Sequence, residues 1–462
     1  MARAQTITGG RDATAAVIPG RYALSVGLPN LPAPEGWRWT PLSSVARLES
    51  GHTPSRRHPE YWGGSIPWIG IRDATGNHGR VIQETIEYTN ELGIENSSAR
   101  VLPKDTVCLS RTASVGYVVV MGRPMSTSQD FVNWICSEDL NPYFLKYVLL
   151  AEREALLIFA VGSVHQTIYF PEAKAFHICM PDRKSQDAIV EVLGALDDKI
   201  ELNRRMNETL EALARAIFKD WFVDFGSTRA KMEGRPPYLA PDLWSLFPAR
   251  LDPDSKPEGW ATSTIGQEVD VVGGSTPSTK EPAFWGGDIA WATPKDLSSL
   301  STPVLLQTGR QITAEGLTQI GSGLLPVGTV LLSSRAPIGY LAIAQIPTAV
   351  NQGFIAMVCR KRLSNVFAWL WTQANVETIL QKANGSTFQE ISKTNFRPIP
   401  VTVASPAVLK AFDETVRPLF DRIVANDKEN RALAATRDYL LPKLMSGEVR
   451  VRQADKLVGE AA

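Results

Sequence analysis

Any fold adopted by this chain has to accommodate a long apolar seam that is written twice. Between Asp187 and Trp221, the residues Ile189, Leu193, Leu196, Ile200, Asn203, Asn207, Leu210, Ala214, Ile217 and Trp221 recur at alternating gaps of four and three. That is the 3.5-residue period of a coiled-coil seam, where buried asparagine specifies register at some cost in stability. Advancing every number by 223 gives Phe412, Val416, Leu419, Ile423, Asn426, Asn430, Leu433, Arg437, Leu440 and Leu444, with asparagine in the same two places. One such pattern alone fits a core helix equally well. Two copies in one register predict a coiled coil. Antiparallel pairing sets Asn203 opposite Asn430, Asn207 opposite Asn426, and Leu196 opposite Arg437, whose head can then reach solvent. Pro418 predicts a kink in the second helix, or its division into a short piece and a long one.

The offset of 223 also works outside the helices. Gly36-Trp37 returns as Gly259-Trp260, Trp62-Gly63-Gly64 as Trp285-Gly286-Gly287, Trp68 as Trp291, Asp73 as Asp296, Gly116-Tyr117 as Gly339-Tyr340 and Gln129 as Gln352. A repeat this long is a duplicated domain and not a solenoid. Each copy reads as short β-rich pieces (SIPWIGI, DTVCLS, GYVVVM and DFVNWIC in the first) interrupted by an apolar helical segment near residues 143–160. Strands and helices that do not alternate regularly predict α+β. The expected organisation is an N-terminal extension over residues 1–34, a globular domain over 35–181 and a long helix over 182–226. A Pro-rich linker over 227–257, a second globular domain over 258–403, a second long helix over 404–446 and a tail over 447–462 complete it.

Three features resemble the specificity subunit of type I restriction-modification systems: DDKIELNRRMNETLE (Asp197–Glu211), FPARLDPDSKPEGW (Phe247–Trp260) and the ending LLPKLMSGEVRV (Leu440–Val451). The likeness covers nearly the whole chain beyond the extension. It implies two target-recognition domains, each reading half of a split site in double-stranded DNA, spaced by an antiparallel coiled coil. It implies a subunit that does no chemistry. Two methyltransferase subunits and ATP-driven restriction subunits would carry S-adenosylmethionine, ATP and Mg2+. Geometry agrees, since 25 to 30 helical residues span roughly 40 Å and half-sites one duplex turn apart lie ~34–36 Å from each other.

Base reading in the major groove needs Arg, Lys, Asn, Gln, Ser or Thr on exposed loops. The first domain offers Arg56 and Arg57 in a turn-rich loop, then Arg72, Arg111, His165 and Gln166. The second offers Lys280, Lys295, Arg335 and Gln389. The repeated Trp-Gly-Gly elements read as architecture. Domains that read different half-sites should share scaffold and differ at contacts, as Arg56-Arg57 against Thr279-Lys280 does.

Motifs for chemistry do not assemble. LNPYFL (Leu140–Leu145) lacks the second proline of an amino-methyltransferase element and reads as a helix start. GGSTPSTK lacks the glycine that precedes lysine in an ATP-binding loop. PDRK (Pro181–Lys184) has no acidic partner at a nuclease spacing, and the 5 histidines show no metal-ligand spacing. The 4 cysteines stand far apart, the start lacks an apolar stretch, and no run suits a membrane span, which together point to the cytoplasm. Zero net charge means that any positive surface for DNA must be local or shared with a partner. Two other classes stay open at this level: a stand-alone DNA methyltransferase with unrecognised motifs, and a two-module scaffold for ligands other than DNA.

Overall fold

The computed structural model of the protein describes residues 12–160, 166–385, 389–451 and 454. Both seams fold into single helices, Arg183–Phe222 and Pro406–Met445, of 40 residues each and related by the same offset. Asp182 starts the first, its carboxylate accepting the Ser185 N–H at 2.8 Å, which satisfies an otherwise orphaned donor. Of the two outcomes expected at Pro418, division of the second helix does not occur. Phe412, Val416, Phe420 and Ile423 around it are all buried. At roughly 1.5–3 kcal/mol per such side chain, their packing outweighs the ~3 kcal/mol penalty of an interior proline.

The chain forms two units, residues 1–199 with 432–462 and residues 200–431. Each therefore holds one globular part and a stretch of both long helices. In the first unit a five-stranded sheet runs in the order Ala46–Ser50, Phe131–Cys136, Val107–Ser110, Val118–Met121, Val81–Ile82. All its pairings are antiparallel except the last. Val107–Ser110 and Val118–Met121 are buried throughout, which explains why they read as unbroken apolar runs and not as alternation. A three-stranded sheet orders Ser126–Thr127, Trp62–Ile69 and Glu87–Thr89.

The second unit repeats both sheets. Its five strands are Asp270–Val272, Phe354–Val358, Val330–Ser334, Ile338–Ala344 and Val304–Leu305, and its three are Arg310–Ile312, Trp285–Ala292 and Ala349–Val350. Mostly antiparallel sheets with helices that do not alternate make each unit α+β. The apolar segment near 143–160 is two helices, Pro142–Ala151 and Arg153–Phe159, matched by Asn365–Ala374 and Val376–Gln381. Asn141 caps the first by accepting the Tyr143 N–H at 2.8 Å, so LNPYFL is a helix start with Pro142 in the first turn.

Two segments expected to be peripheral are integrated. Ile18–Pro19 and Leu24–Val26 join Phe176–Met180 and Arg38–Pro41 in a four-stranded sheet. The buried carboxylate of Glu152 accepts the N–H groups of Arg21, Tyr22, Ala23 and Leu24 at 2.8, 2.5, 2.6 and 3.2 Å. In the second unit the Pro-rich stretch contains the helices Gly226–Met232 and Pro241–Leu246. Its Phe247 is buried against Trp221, with ring centroids 4.9 Å apart. Trp221, Phe222 and Trp260 are buried, and covering their aromatic area is what draws that stretch in.

The seam meets as the repeat predicts. Asn203 Nδ2 donates to Asn430 Oδ1 at 3.0 Å and to Glu429 Oε2 at 2.7 Å, and Asn426 Nδ2 donates to Asn207 Oδ1 at 2.8 Å. Arg437 departs from expectation. Its head does not go to solvent but to Asp197 Oδ1 at 2.9 Å. Asp197 Oδ2 also accepts from Lys146 Nζ at 2.8 Å and Tyr147 Oη at 2.7 Å. Burial pushes the Asp197 carboxyl up, yet the charges and hydrogen bonds of Lys146 and Arg437 outweigh it and hold the group below the usual range. The positions equivalent to Lys146, Asp197 and Arg437 in the second unit are Trp369, Phe420 and Ala214, all buried, with the two rings 5.7 Å apart. One unit closes this place with ions and the other with aromatics.

Candidate nucleic-acid interface

At one end of the five-stranded sheet in the first unit, four loops are knitted together. Thr53 Oγ1 donates to Gln129 Oε1 at 2.5 Å, and Arg111 Nε donates to the Gln129 carbonyl at 3.1 Å. The Ile168 N–H bonds the Arg111 carbonyl at 2.9 Å, and the Thr112 and Thr167 hydroxyls lie 3.0 Å apart. The approach of the first loop is so close that a Cβ on Gly51 would sit 1.9 Å from the Ser128 carbonyl oxygen. The second unit reproduces the frame, with Thr276 Oγ1 to Gln352 Oε1 at 2.6 Å and a Gly274 Cβ at 1.7 Å from the Val350 oxygen.

Beside these loops each unit carries a pair of edge-on tryptophans. Trp62 and Trp68 have centroids 5.2 Å apart at 87°, and Trp285 and Trp291 have centroids 5.0 Å apart at 86°. Their indole N–H groups staple the preceding loop, Trp68 to the His52 carbonyl at 3.2 Å and Trp291 to the Ser275 carbonyl at 3.2 Å. The glycines beside them are structural. Gly63 has φ +79, and a Cβ on Gly64 would lie 2.7 Å from the Thr89 oxygen. Trp-Gly-Gly is a loop clamp.

The ten candidate contacts fall into three groups. Arg57, Arg72, Gln166, Lys280, Lys295 and Gln389 are exposed. At the common offset Arg57 matches Lys280, Arg72 matches Lys295 and Gln166 matches Gln389, so the two units present the same three kinds of group. Arg72 and Lys295 ride on helices whose starts are held by Asp73 and Asp296, which accept the Gly70 and Thr293 N–H groups at 2.9 and 2.7 Å. Arg56, Arg111 and Arg335 have internal partners. Arg56 lies 3.9 Å from the Trp62 ring centroid and is doubly bonded to Glu87, the second bond being 2.7 Å. That bond, opposed by partial burial and aided by the charges of Arg56 and Arg72, holds the Glu87 carboxyl low. Burial pushes the Arg111 guanidinium below its ordinary range, and Arg335 lies 3.7 Å from Glu390. His165 lies outside the described residues.

Arg310 was missed from the sequence. It stands where Glu87 stands in the first unit, and its guanidinium lies 3.6 Å from the centroid of Trp285. Nothing local marks it. It reaches the tryptophans because Arg310–Ile312 pairs antiparallel with Trp285–Ala292, setting Arg310 opposite Trp291.

Among the described residues no group of three or more His, Cys, Asp and Glu could hold a metal ion, and no helix is long and apolar enough to cross a membrane. Residues 34–212 and 257–406 match the profile of the type I restriction modification DNA specificity domain. The chain belongs to that family. The specificity subunit is the non-catalytic part of a type I restriction-modification enzyme, its two matched regions are DNA-recognition domains, and methyltransferase and restriction subunits hold the cofactors. A relative in Methanocaldococcus jannaschii, the type I restriction enzyme MjaIX specificity subunit, is 27% identical over 428 residues, covering 91% of this chain and 95% of that one. The HindI specificity subunit of Haemophilus influenzae is 25% identical over 358 residues, covering 67% and 77%. In fold the chain is similar to the type I restriction-modification S subunit from M. genitalium, with a TM-score of 0.54 at 16% identity over 88% of this chain and 96% of that one.

Proposed function

We propose that this specificity subunit reads a split site in double-stranded DNA, one half with each recognition domain, and presents it to two methyltransferase subunits and to restriction subunits. The knitted loops with their exposed basic and amide groups are the contact surfaces in this reading. Arg57, Arg72 and Gln166 serve one domain, and Lys280, Lys295 and Gln389 the other. The observation that carries it is the matched placement of these groups on a frame that the repeat otherwise keeps for architecture. Lysine and arginine there suit backbone phosphates, and glutamine suits adenine. The asparagine-locked helices are the proposed spacer between the half-sites, and the domain boundaries near residues 181 and 258 are part of the same reading.

Exchange of residues 12–181 for those of a relative with a different target tests it. The exchanged chain, assembled with cognate methyltransferase subunits, should methylate a site altered in one half only, as read by sequencing methylated DNA. Alteration of both halves, or retention of the parent site, would refute the division.

A further inference from the structure

We propose that Arg310 is the residue with which the second recognition domain reads a guanine. The inference rests on the DNA reading above and goes beyond it by naming one residue and one base. In both units a guanidinium covers the first tryptophan of the edge-on pair, but the two come from different elements. In the first, Arg56 arrives from the loop, and both its Nη1 and its Nη2 are used on Glu87. Its fork is filled and its charge is cancelled. In the second, the loop position is Thr279 and the strand position is Arg310. Among the described residues no carboxylate pairs with Arg310. It is exposed, 3.6 Å from the Trp285 centroid and 5.4 Å from that of Trp291, and it lines a pocket of about 430 Å³ with Trp285, Gly286, Thr308, Gly309 and Gln311.

Stacking fixes the plane of a guanidinium while leaving its edge of donors outward. A planar fork presented edge-on matches the O6 and N7 acceptors of guanine, the commonest base-specific partner of arginine. A phosphate would also accept from Arg310, but it would accept from a lysine at that position too, since a point charge serves. Guanine offers two acceptors side by side, which the fork meets with two donors held in one plane, whereas a lysine meets them with a single flexible ammonium. The charge pattern separates the halves: the same architectural place is neutral in the first domain and cationic in the second.

The test uses the full chain assembled with its methyltransferase subunits and a duplex library randomised over both half-sites. Parent, Arg310→Lys and Arg310→Ala are compared by the sequences they retain. Arg310→Lys keeps the charge over Trp285, so an unchanged melting temperature reports an intact fold. The expected result is loss of preference at one guanine of the second half-site in Arg310→Ala, roughly 5- to 150-fold as for one bidentate contact, and a smaller loss at the same guanine in Arg310→Lys. The first half-site should be unchanged. A guanine preference that survives Arg310→Ala overturns the inference, as does equal weakening on all sequences or a parent second half-site without guanine. A parent complex with no sequence preference at all would instead overturn the DNA reading on which it rests.

Discussion

Removing the carboxylate of Asp197 by substitution with alanine should cost the first unit about 3 kcal/mol. The side chains of Lys146, Asp197 and Arg437 are 5%, 21% and 29% exposed; both cations bond Asp197 with little water to replace it, and Arg437 also bonds Asp438 at 2.8 Å. Breaking a buried pair typically costs about 3–5 kcal/mol, because it leaves charge behind uncompensated. The partial exposure of Asp197 and Arg437 places this case at the lower end. For a unit of this size each kcal/mol moves the melting temperature by ~2–4 °C, so Asp197→Ala should melt roughly 6–12 °C lower in calorimetry, with the second unit as internal reference. The combined change Lys146→Met, Tyr147→Phe, Asp197→Leu and Arg437→Met should behave differently. It removes charge and acceptor together, and such replacements are neutral to stabilising by ~1–4 kcal/mol. The second unit already closes the equivalent place with Trp369, Phe420 and Ala214. If Asp197→Ala melted with the parent, or the fourfold variant melted below it, the ionic cluster would not be what holds the helices to this domain.

Two further outcomes follow from buried polar groups. Burial, opposed by Arg215, raises the Glu211 carboxyl to about 7; the folded state therefore holds more protons than the unfolded between pH 4.5 and 7, and the stability of the second unit should fall across that window as pH rises. Glu211→Gln should remove the slope and raise the melting temperature at pH 8 but not at pH 4.5, and a parallel upward shift at both would refute the assignment. Asn203→Leu should destabilise by about 1–3 kcal/mol in a denaturant series, since it strands Asn430, while Asn203→Leu with Asn430→Leu should recover most of that. Equal loss in single and double variants would mean that the amide pair is not the relevant contact.

The sequence made the long-range plan of this chain readable because the plan is periodic. A 3.5-residue seam and a 223-residue offset are both visible without knowing which segments touch, and the asparagine pairs follow from them by counting. Side-chain destinations were less readable. Arg437 sits at a seam position from which its head can reach solvent, and the Asp197 that claims it is itself set by Lys146 and Tyr147 on another element. Lys146 inside the apolar run YFLKYVLL was the available signal of a buried partner. The loop of Arg56 shows its exposure, while the Glu87 that bonds it is brought there by strand pairing. The same pairing lifts Arg310 onto Trp285. Contacts that cross between strands distant in sequence leave no local trace.

The carboxylate of Glu152 sets where this chain can be cut and rejoined by recombination. It collects four backbone N–H groups from residues 21–24. A crossover inside residues 27–34 would give the first domain an N-terminal strand from one parent and the buried acceptor from another. Where the incoming parent lacks that acid, four amides are orphaned together. The position equivalent to Glu152 in the second unit is Asn375, whose side chain, among the described residues, bonds the Trp371 carbonyl of the preceding helix at 2.8 Å. Hybrid chains should therefore tolerate a breakpoint ahead of the second domain more readily than one ahead of the first, and viable chimeras should inherit residues 18–26 together with residue 152.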